Sequence, residues 1–377
     1  MFCPKCGRKI RSNTRRCPNC GYRIRNTRVK RRTKNKCVIA VMVVIIAMIA
    51  ILFTYYKVVN PFLNDLQQLK NSISSDNAQK QDLKKEENQS DSKNKEQTNE
   101  ITPLQIHFID VGQGDGALLQ CGGQTAMIDT GSLTAGKENV VSYLQQQEVT
   151  AIDYLFLSHG HEDHMGAVYD IIWKSDIEIK NAIYDFGNSD DGNVTMLNNS
   201  MLEKKIPNIK PVKNDVYKLG DAEIQIILDR DEIEKLQKEL PEDGDETLRS
   251  QTITTNVNNQ SIAMLVKHGD NSFLFYGDGE KEYEDFLLEK CPEVKNVTVL
   301  KAPHHGGGNS CQDITLKQLS PKYTVVSSES PDAYGFPAED VIERLEDNNS
   351  ENYYTYKNGT ILAVSDGKNV EFTKEKE

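Results

Sequence analysis

The chain has 377 residues, 27% of them charged, with a formal net charge of −11, and it is long enough for one large domain plus smaller parts. Residues 1–64 carry 15 Lys and Arg and no acidic residue, so the other 30 basic and all 56 acidic residues lie in 65–377. A basic head thus precedes an acidic body, and a body of that sign excludes tight binding of long nucleic acids unless metals or a local basic patch compensate.

The N-terminus opens with two Cys-x-x-Cys knuckles, Cys3-Pro4-Lys5-Cys6-Gly7 and Cys17-Pro18-Asn19-Cys20-Gly21, separated by ten residues. Four thiolates at this spacing suit one tetrahedral structural zinc, which folds a segment too short to build its own core. Disulfide pairing is the alternative, and a reducing cytoplasm disfavours it. Residues 1–24 resemble the small zinc ribbons at the N-termini of many membrane proteins, with a structural or adaptor role.

Residues 25–36 form a basic juxtamembrane segment, and the uncharged run from Cys37 to Tyr56 follows it. At 1.5 Å per residue that run is about 30 Å long, the thickness of a bilayer's hydrocarbon core, so it reads as one transmembrane helix. A buried soluble helix is rarely apolar on every face, and a cleaved signal peptide has a shorter apolar core and a small-residue cleavage site. Arg23, Arg25, Arg28, Lys30, Arg31, Arg32, Lys34 and Lys36 precede the span while Lys57 stands alone after it. The positive-inside rule then puts the N-terminus in the cytoplasm, where the ribbon would meet a cytoplasmic partner, and everything after the span outside the cell membrane. One span is too few for a channel. Residues 57–102 begin with Leu63, Leu66, Leu69 and Ile73 at amphipathic spacing and continue as a polar stretch that reads as a disordered tether.

From residue 103 apolar strands alternate with amphipathic helical stretches such as Glu138–Gln147. The strands expected are Leu104–Asp110, Ala117–Cys121, Thr125–Ile128, Tyr154–Leu157, Ile224–Leu228, Ile262–Val266, Phe273–Tyr276, Val297–Leu300 and Tyr323–Val326. Two sheets packed face to face and covered by helices fit this α/β pattern. Arg230–Ser250 reads as a charged surface insertion placed to border a cleft. Cys37, Cys121, Cys291 and Cys311 have no paired spacing and read as small apolar residues.

The strand Tyr154–Leu157 ends in His159-Gly160-His161-Glu162-Asp163-His164, which gathers three of the seven histidines within six positions. His304 and His305 add an adjacent pair. Clusters of this kind mark metal or catalytic sites more often than chance. Asp129 precedes Gly131 and reads either as an acceptor for a ligand histidine or as plain turn chemistry. Asp110, Gln113 and Asp115 read either as cleft rim or as parts of a tight glycine turn.

The motif Ser158-His159-Gly160-His161-Glu162-Asp163-His164-Met165-Gly166 resembles the metal signature of the metallo-β-lactamase fold hydrolases. Ile128-Asp129-Thr130-Gly131, Tyr276-Gly277-Asp278 and Lys301-Ala302-Pro303-His304-His305-Gly306 follow that family's order. Phe108-Ile109-Asp110-Val111-Gly112-Gln113-Gly114-Asp115 is similar to the opening of the extracellular hydrolase domain of ComEC-type DNA-uptake proteins.

The resemblance implies an αββα sandwich over residues 103–377 and two divalent ions, zinc or manganese. It implies that His159 and His161 hold the first ion, Asp163 and His164 the second, that Asp278 bridges them, and that one of His304 and His305 completes the second site. Asp163 would also act catalytically by orienting the attacking water, whose pKa falls from 15.7 to about 7 on coordination. No histidine lies between His164 and His268, where many members place another ligand for the first ion. Asn256 to Ser261 occupies that region, and oxygen donors there would favour a harder ion such as manganese.

The function expected is an extracellular, membrane-anchored phosphodiesterase or nuclease acting on DNA, a small phosphodiester or a cell-wall polymer. Ester, lactone or β-lactam hydrolysis on the same centre is the alternative, as is a catalytically weak sensor signalling through the zinc ribbon.

Overall fold

The computed structural model describes residues 101–133, 140–187, 189–239, 256–329 and 334–377, together with residues 3, 5, 6, 8, 9, 11 and 16–23. The chain divides into two compact units, Met1–Gln97 and Thr98–Glu377. The expected basic segment, the apolar run Cys37–Tyr56 and the tether lie outside the described residues. Among the described residues no helix is long and apolar enough to cross a membrane.

In the smaller unit each knuckle closes on itself, with Cys3 N donating to Arg8 O and Cys17 N to Tyr22 O, both at 2.9 Å. Arg16 and Arg23 form an antiparallel bridge. Cys3 Sγ lies 3.6 Å from Cys20 Sγ and Cys6 Sγ lies 3.7 Å from Cys17 Sγ, with no disulfide among them. A tetrahedron with zinc–sulfur bonds of about 2.3 Å has edges of about 3.8 Å, so the four thiols fit one zinc.

The larger unit begins with β1 (Leu104–Phe108), β2 (Gly116–Cys121) and β3 (Gln124–Thr130), followed by helix α1 (Val140–Gln146), β4 (Ala151–Ile152) and β5 (Tyr154–Phe156). Helices α2 (Glu162–Met165) and α3 (Val168–Lys174) lead to β6 (Glu178–Ile179), β7 (Ala182–Ile183), α4 (Gly192–Lys204) and β8 (Asn208–Ile209). Then come β9 (Val216–Leu219), β10 (Ala222–Leu228), α5 (Arg230–Glu239), β11 (Ala263–His268), β12 (Asn271–Phe275) and α6 (Lys281–Lys290). The chain continues with β13 (Val299–Lys301), α7 (Asp313–Leu319), β14 (Tyr323–Val326), α8 (Glu339–Asp347), β15 (Glu351–Tyr354), α9 (Thr355–Asn358), β16 (Ile361–Ser365) and β17 (Val370–Lys374).

Among the described residues two large sheets result, ordered β17-β16-β1-β2-β3-β5-β7-β8 and β15-β14-β13-β12-β11-β10-β9, with β4 and β6 forming a separate two-stranded parallel pair. The period-2 pattern of the strands decides the layering. Leu104, Ile106, Phe108, Ala126, Ile128, Ile224, Ile226, Met264, Val266, Phe273 and Phe275 fill the space between the sheets. The alternate residues Leu118, Met127 and Leu155 face α1, α3 and α4, whereas Leu265, Leu274 and Leu300 face α6, α7 and α8. Three apolar seams therefore separate four layers, the αββα order expected.

β3, β5, β7 and β8 run parallel, as do β12, β13, β14 and β15. The loops leaving their carboxyl ends gather along one edge, where ligands of open α/β sheets commonly bind.

The charged segment expected as a surface insertion is packed at its start, because Ile233 in α5 is 1% exposed and joins the outer seam of the second sheet. Strands β4, β6, β7, β8, β9, β15, β16 and β17 go beyond those expected.

Candidate metal centre

His159 follows β5 and is buried, while His161 immediately precedes α2, which carries Asp163 and His164. The short helix turns the chain back so that alternate side chains of one loop converge. His159 offers Nε2 and His161 offers Nδ1, and the two nitrogens lie 3.1 Å apart. Asp278, in the loop after β12, places Oδ2 at 3.7 Å from His159 Nε2 and Oδ1 at 3.1 Å from His164 Nε2. It therefore stands between the two halves of the cluster.

His305 comes from the turn after β13, where both His304 and His305 adopt left-handed backbone angles, with φ of 48° and 54°. That turn points the two rings apart. His305 Nε2 lies 3.5 Å from Asp278 Oδ2 and 3.4 Å from Asp163 Oδ2. The His304 ring instead contacts Asn309 Oδ1 through Nδ1 at 3.1 Å and Asn258 Nδ2 through Nε2 at 3.3 Å, and packs edge-on against Phe336. Of the adjacent pair, only His305 joins the cluster.

Asp129, the next-to-last residue of β3, has its Oδ2 at 2.9 Å from His164 Nδ1, and it also accepts from Ser158 N and Ser158 Oγ, each at 2.7 Å. It therefore fixes both the His164 ring and the start of the histidine loop.

Asp115 is the residue whose part sequence reasoning missed. It lies behind the rings, with Oδ1 at 3.2 Å from His305 Nδ1 and Oδ2 at 4.0 Å from His164 Nδ1, and it is paired with the buried Lys301 amine. Gly114 makes this approach feasible. At φ 131° a Cβ there would stand 2.3 Å from the Asp163 carbonyl oxygen, and Asp115 N donates to that oxygen at 3.2 Å.

Charge is balanced towards a cation. Burial alone would raise Asp278 and Asp115, yet His164 and His305 hold the first well below the carboxylate range, and Lys301 with His305 lowers the second. Asp163 is likewise held low against burial by the neighbouring His305 and His164 rings. Burial pushes Asp129 up and His159 well down, whereas the surrounding carboxylates outweigh burial at His164 and His305 and raise both.

Two donor groups suit divalent ions: His159, His161 and Asp278, and a second built on His164, Asp278 and His305 with Asp115 behind them. The buried atoms His164 Nε2, His305 Nε2 and Asp278 Oδ1 have no hydrogen-bond partner among the described residues. Such atoms are costly to bury unless something is bound between them, so the residues fit the metal. Asn258, from the segment that replaces the expected histidine, donates Nδ2 to Glu280 Oε1 at 2.9 Å, and its buried Oδ1 has no such partner among the described residues.

The centre opens into a cleft of about 610 Å³ walled by Gln113, Asn258, His304, Glu329, Tyr334 and Phe336. A second cleft, of about 290 Å³, is lined by His159, Gly160 and His161.

Residues 109–329 match the metallo-beta-lactamase superfamily, over more than half of the chain, and residues 2–24 match the zinc-ribbon domain. ComE operon protein 3 of Bacillus subtilis (strain 168) is 24% identical over 274 residues, which is 68% of this chain and 32% of that protein. Competence protein ComA of Neisseria gonorrhoeae is 25% identical over 240 residues, 63% of this chain and 28% of that one. The chain thus spans about a third or less of the length of these curated relatives. The solved metallo-beta-lactamase fold protein YhfI from Bacillus subtilis aligns with a TM-score of 0.44 at 14% identity, covering 70% of this chain and 100% of that one.

Proposed function

The chain belongs to the metallo-beta-lactamase superfamily, and from that premise we propose that it is a membrane-anchored hydrolase cleaving phosphodiester bonds outside the cell. The observation that carries this reading is the pair of donor groups sharing Asp278 at the mouth of a cleft. In this reading His159, His161 and Asp278 hold one divalent ion, zinc or manganese, and Asp163, His164, Asp278 and His305 hold the other.

When bound, such a pair of ions lowers the pKa of water and offsets negative charge developing on a phosphoryl oxygen. The chain's residues supply the rest. Asp129 holds His164, and the Ser327 carbonyl, 3.0 Å from His305 Nδ1, holds His305 with the Asp115 carboxylate beside it, so both imidazoles meet the centre through Nε2. Asp163 is the most accessible carboxylate of the cluster, with 30% side-chain exposure. Being ionised at neutral pH, it accepts a hydrogen bond from the attacking water and aims its lone pair at the scissile phosphorus.

Two clefts meeting at His161 support a diester, because each gives room to one of the two groups carried by the phosphorus. The competence name of one relative supports a substrate related to DNA. From residue 103 onward the chain carries 24 basic and 48 acidic residues, which favours a small phosphodiester or a short stretch of polymer over tight wrapping of a long one. The uncharged run Cys37–Tyr56, with its one-sided basic flank, supports the anchor and the outward-facing hydrolase.

The test is hydrolysis of bis(p-nitrophenyl) phosphate by the full chain loaded with zinc or manganese, beside His164→Ala and Asp278→Ala. Turnover that both substitutions abolish supports the reading. Turnover of p-nitrophenyl esters or lactones alone replaces it with ester chemistry.

A further inference from the structure

The smaller cleft holds one arginine. Arg230 opens α5 and lines the cleft together with His159, His161, Phe186, Val194 and Gln260. Its guanidinium is held from three directions. Nη1 donates to Gln260 Oε1 at 2.7 Å and Nε to Glu234 Oε1 at 2.9 Å. Its flat face rests on Gly187, where the backbone has φ of 58° and a Cβ would stand 2.5 Å from Arg230 Cζ and Nη2. Any side chain there would lift the guanidinium away, so the bare backbone and the fixed arginine belong together.

The carboxylates of the same cleft are already committed. Asp185 pairs with Lys210 at 3.1 Å and accepts from Gly187 N at 2.9 Å, and Asp191 caps α4 by accepting from Asn193 N and Val194 N. Glu234 is 45% exposed at its side chain against 16% for Arg230, so the acid lies on the outer side of the guanidinium. What remains facing the cleft is one positioned guanidinium, paired with Glu234 through Nε on its outer side, beside the apolar surface of Phe186 and Val194 and next to the two histidines of the first donor group.

We propose that Arg230 forms a subsite for a second anionic group of the substrate, a phosphate one unit away from the phosphodiester being cleaved. The proposal rests on the phosphodiesterase reading for its substrate class. A planar guanidinium held by a glycine backbone and a glutamine loses little freedom on meeting a phosphate, and the fork geometry matches two phosphate oxygens. Placed beside the centre, the subsite orients a phosphate-bearing flank so that the scissile bond enters the larger cleft. It makes the enzyme selective for substrates with repeated phosphates.

The test compares two chromogenic diesters with the full chain and its metal: thymidine 5′-(p-nitrophenyl phosphate) and the same compound carrying a 3′-phosphate. Leaving group and scissile bond are identical. The extra phosphate is expected to raise kcat/KM at least roughly tenfold in the native protein, the scale of one charge-assisted hydrogen bond. Arg230→Gln is expected to collapse that ratio towards one, with Arg230→Lys in between. An equal rate on both substrates in the native protein, or a ratio that survives Arg230→Gln, overturns the proposal.

Binding gives a readout independent of turnover. Thymidine 3′,5′-bisphosphate titrated calorimetrically into the metal-loaded chain is expected to bind roughly tenfold more tightly than thymidine 5′-monophosphate, with the difference lost in Arg230→Gln. If neither diester is hydrolysed but that difference is found, the phosphodiesterase reading fails and the subsite stands. If the two nucleotides bind alike, the subsite fails whatever the turnover.

Discussion

Asp115→Asn separates two jobs that one buried carboxylate performs. Asp115 and Lys301 have side chains 10% and 5% exposed, and Lys301 otherwise donates only to the Ala302 carbonyl at 2.8 Å among the described residues. The substitution keeps the shape but leaves a buried ammonium without its counter-charge, which costs about 3–5 kcal/mol. Asp115 Oδ1 also stands 3.2 Å from His305 Nδ1, which is hydrogen-bonded to Ser327 O at 3.0 Å, so its loss removes a negative charge behind a ring on which the second donor group depends. Changes to the groups behind metal ligands lower metal affinity roughly 10–100-fold, and with Ser327 O still holding the ring the low end is expected here. The cost is measured by urea unfolding of the chelated protein, followed by fluorescence of Trp173, the single tryptophan. Chelation keeps metal binding out of the stability. Asp115→Asn with Lys301→Met removes both charges and is expected to recover most of the stability while leaving metal affinity low. A single variant within about 1 kcal/mol of the native protein, or a double variant no more stable than the single, refutes the account of a buried pair.

Other expectations follow from the same geometry. His305→Ala is expected to lower metal stoichiometry in the hydrolase unit and to abolish turnover, whereas His304→Ala, lining the cleft wall, keeps the metal and alters KM; metal analysis with steady-state kinetics checks both. Gly114→Ala drives a Cβ into the Asp163 carbonyl and is expected to cost activity more than tenfold, with a drop in metal affinity visible by calorimetry. Glu284 is buried with Tyr276 Oη, Cys311 N and Gln312 N against its carboxylate. Burial pushes its pKa from 4.5 up to about 7, so the native state holds a proton that the unfolded chain releases. Its contribution to stability is full below about 4.5 and is lost as pH rises to about 7, a fall of about 3 kcal/mol. Glu284→Gln is expected to flatten that slope, which unfolding at pH 4.5 and 7.5 reads directly.

What could be read from the sequence was local, and what could not was a matter of pairing across distance. The inner strands announce themselves because each alternates between two apolar seams, as Leu118 and Met127 do against Ala117 and Ile128. β15 and β17 do not, since Glu351-Asn352-Tyr353-Tyr354 and Val370-Glu371-Phe372-Thr373-Lys374 lie at or near sheet edges and bury little. β16 is apolar, but its partner β1 is some 250 residues away, and no local signal fixes that pairing. The same division runs through the site. The histidine loop is legible because three imidazoles and a carboxylate fall within one turn of chain. The choice of His305 over His304 is not, because adjacent residues in a left-handed turn follow neither helical nor strand periodicity. Asp115 looks in sequence like part of a glycine turn, and its meaning comes only from Lys301, 186 residues further on, and from the ring behind which both are packed. The residues that touch a ligand are thus clustered by chemistry, while those that hold the ligands in place are brought together by the sheets. Substitutions at Asp115 and Lys301 accordingly test the fold's contribution to the centre, and substitutions at His164 and Asp278 test the centre itself.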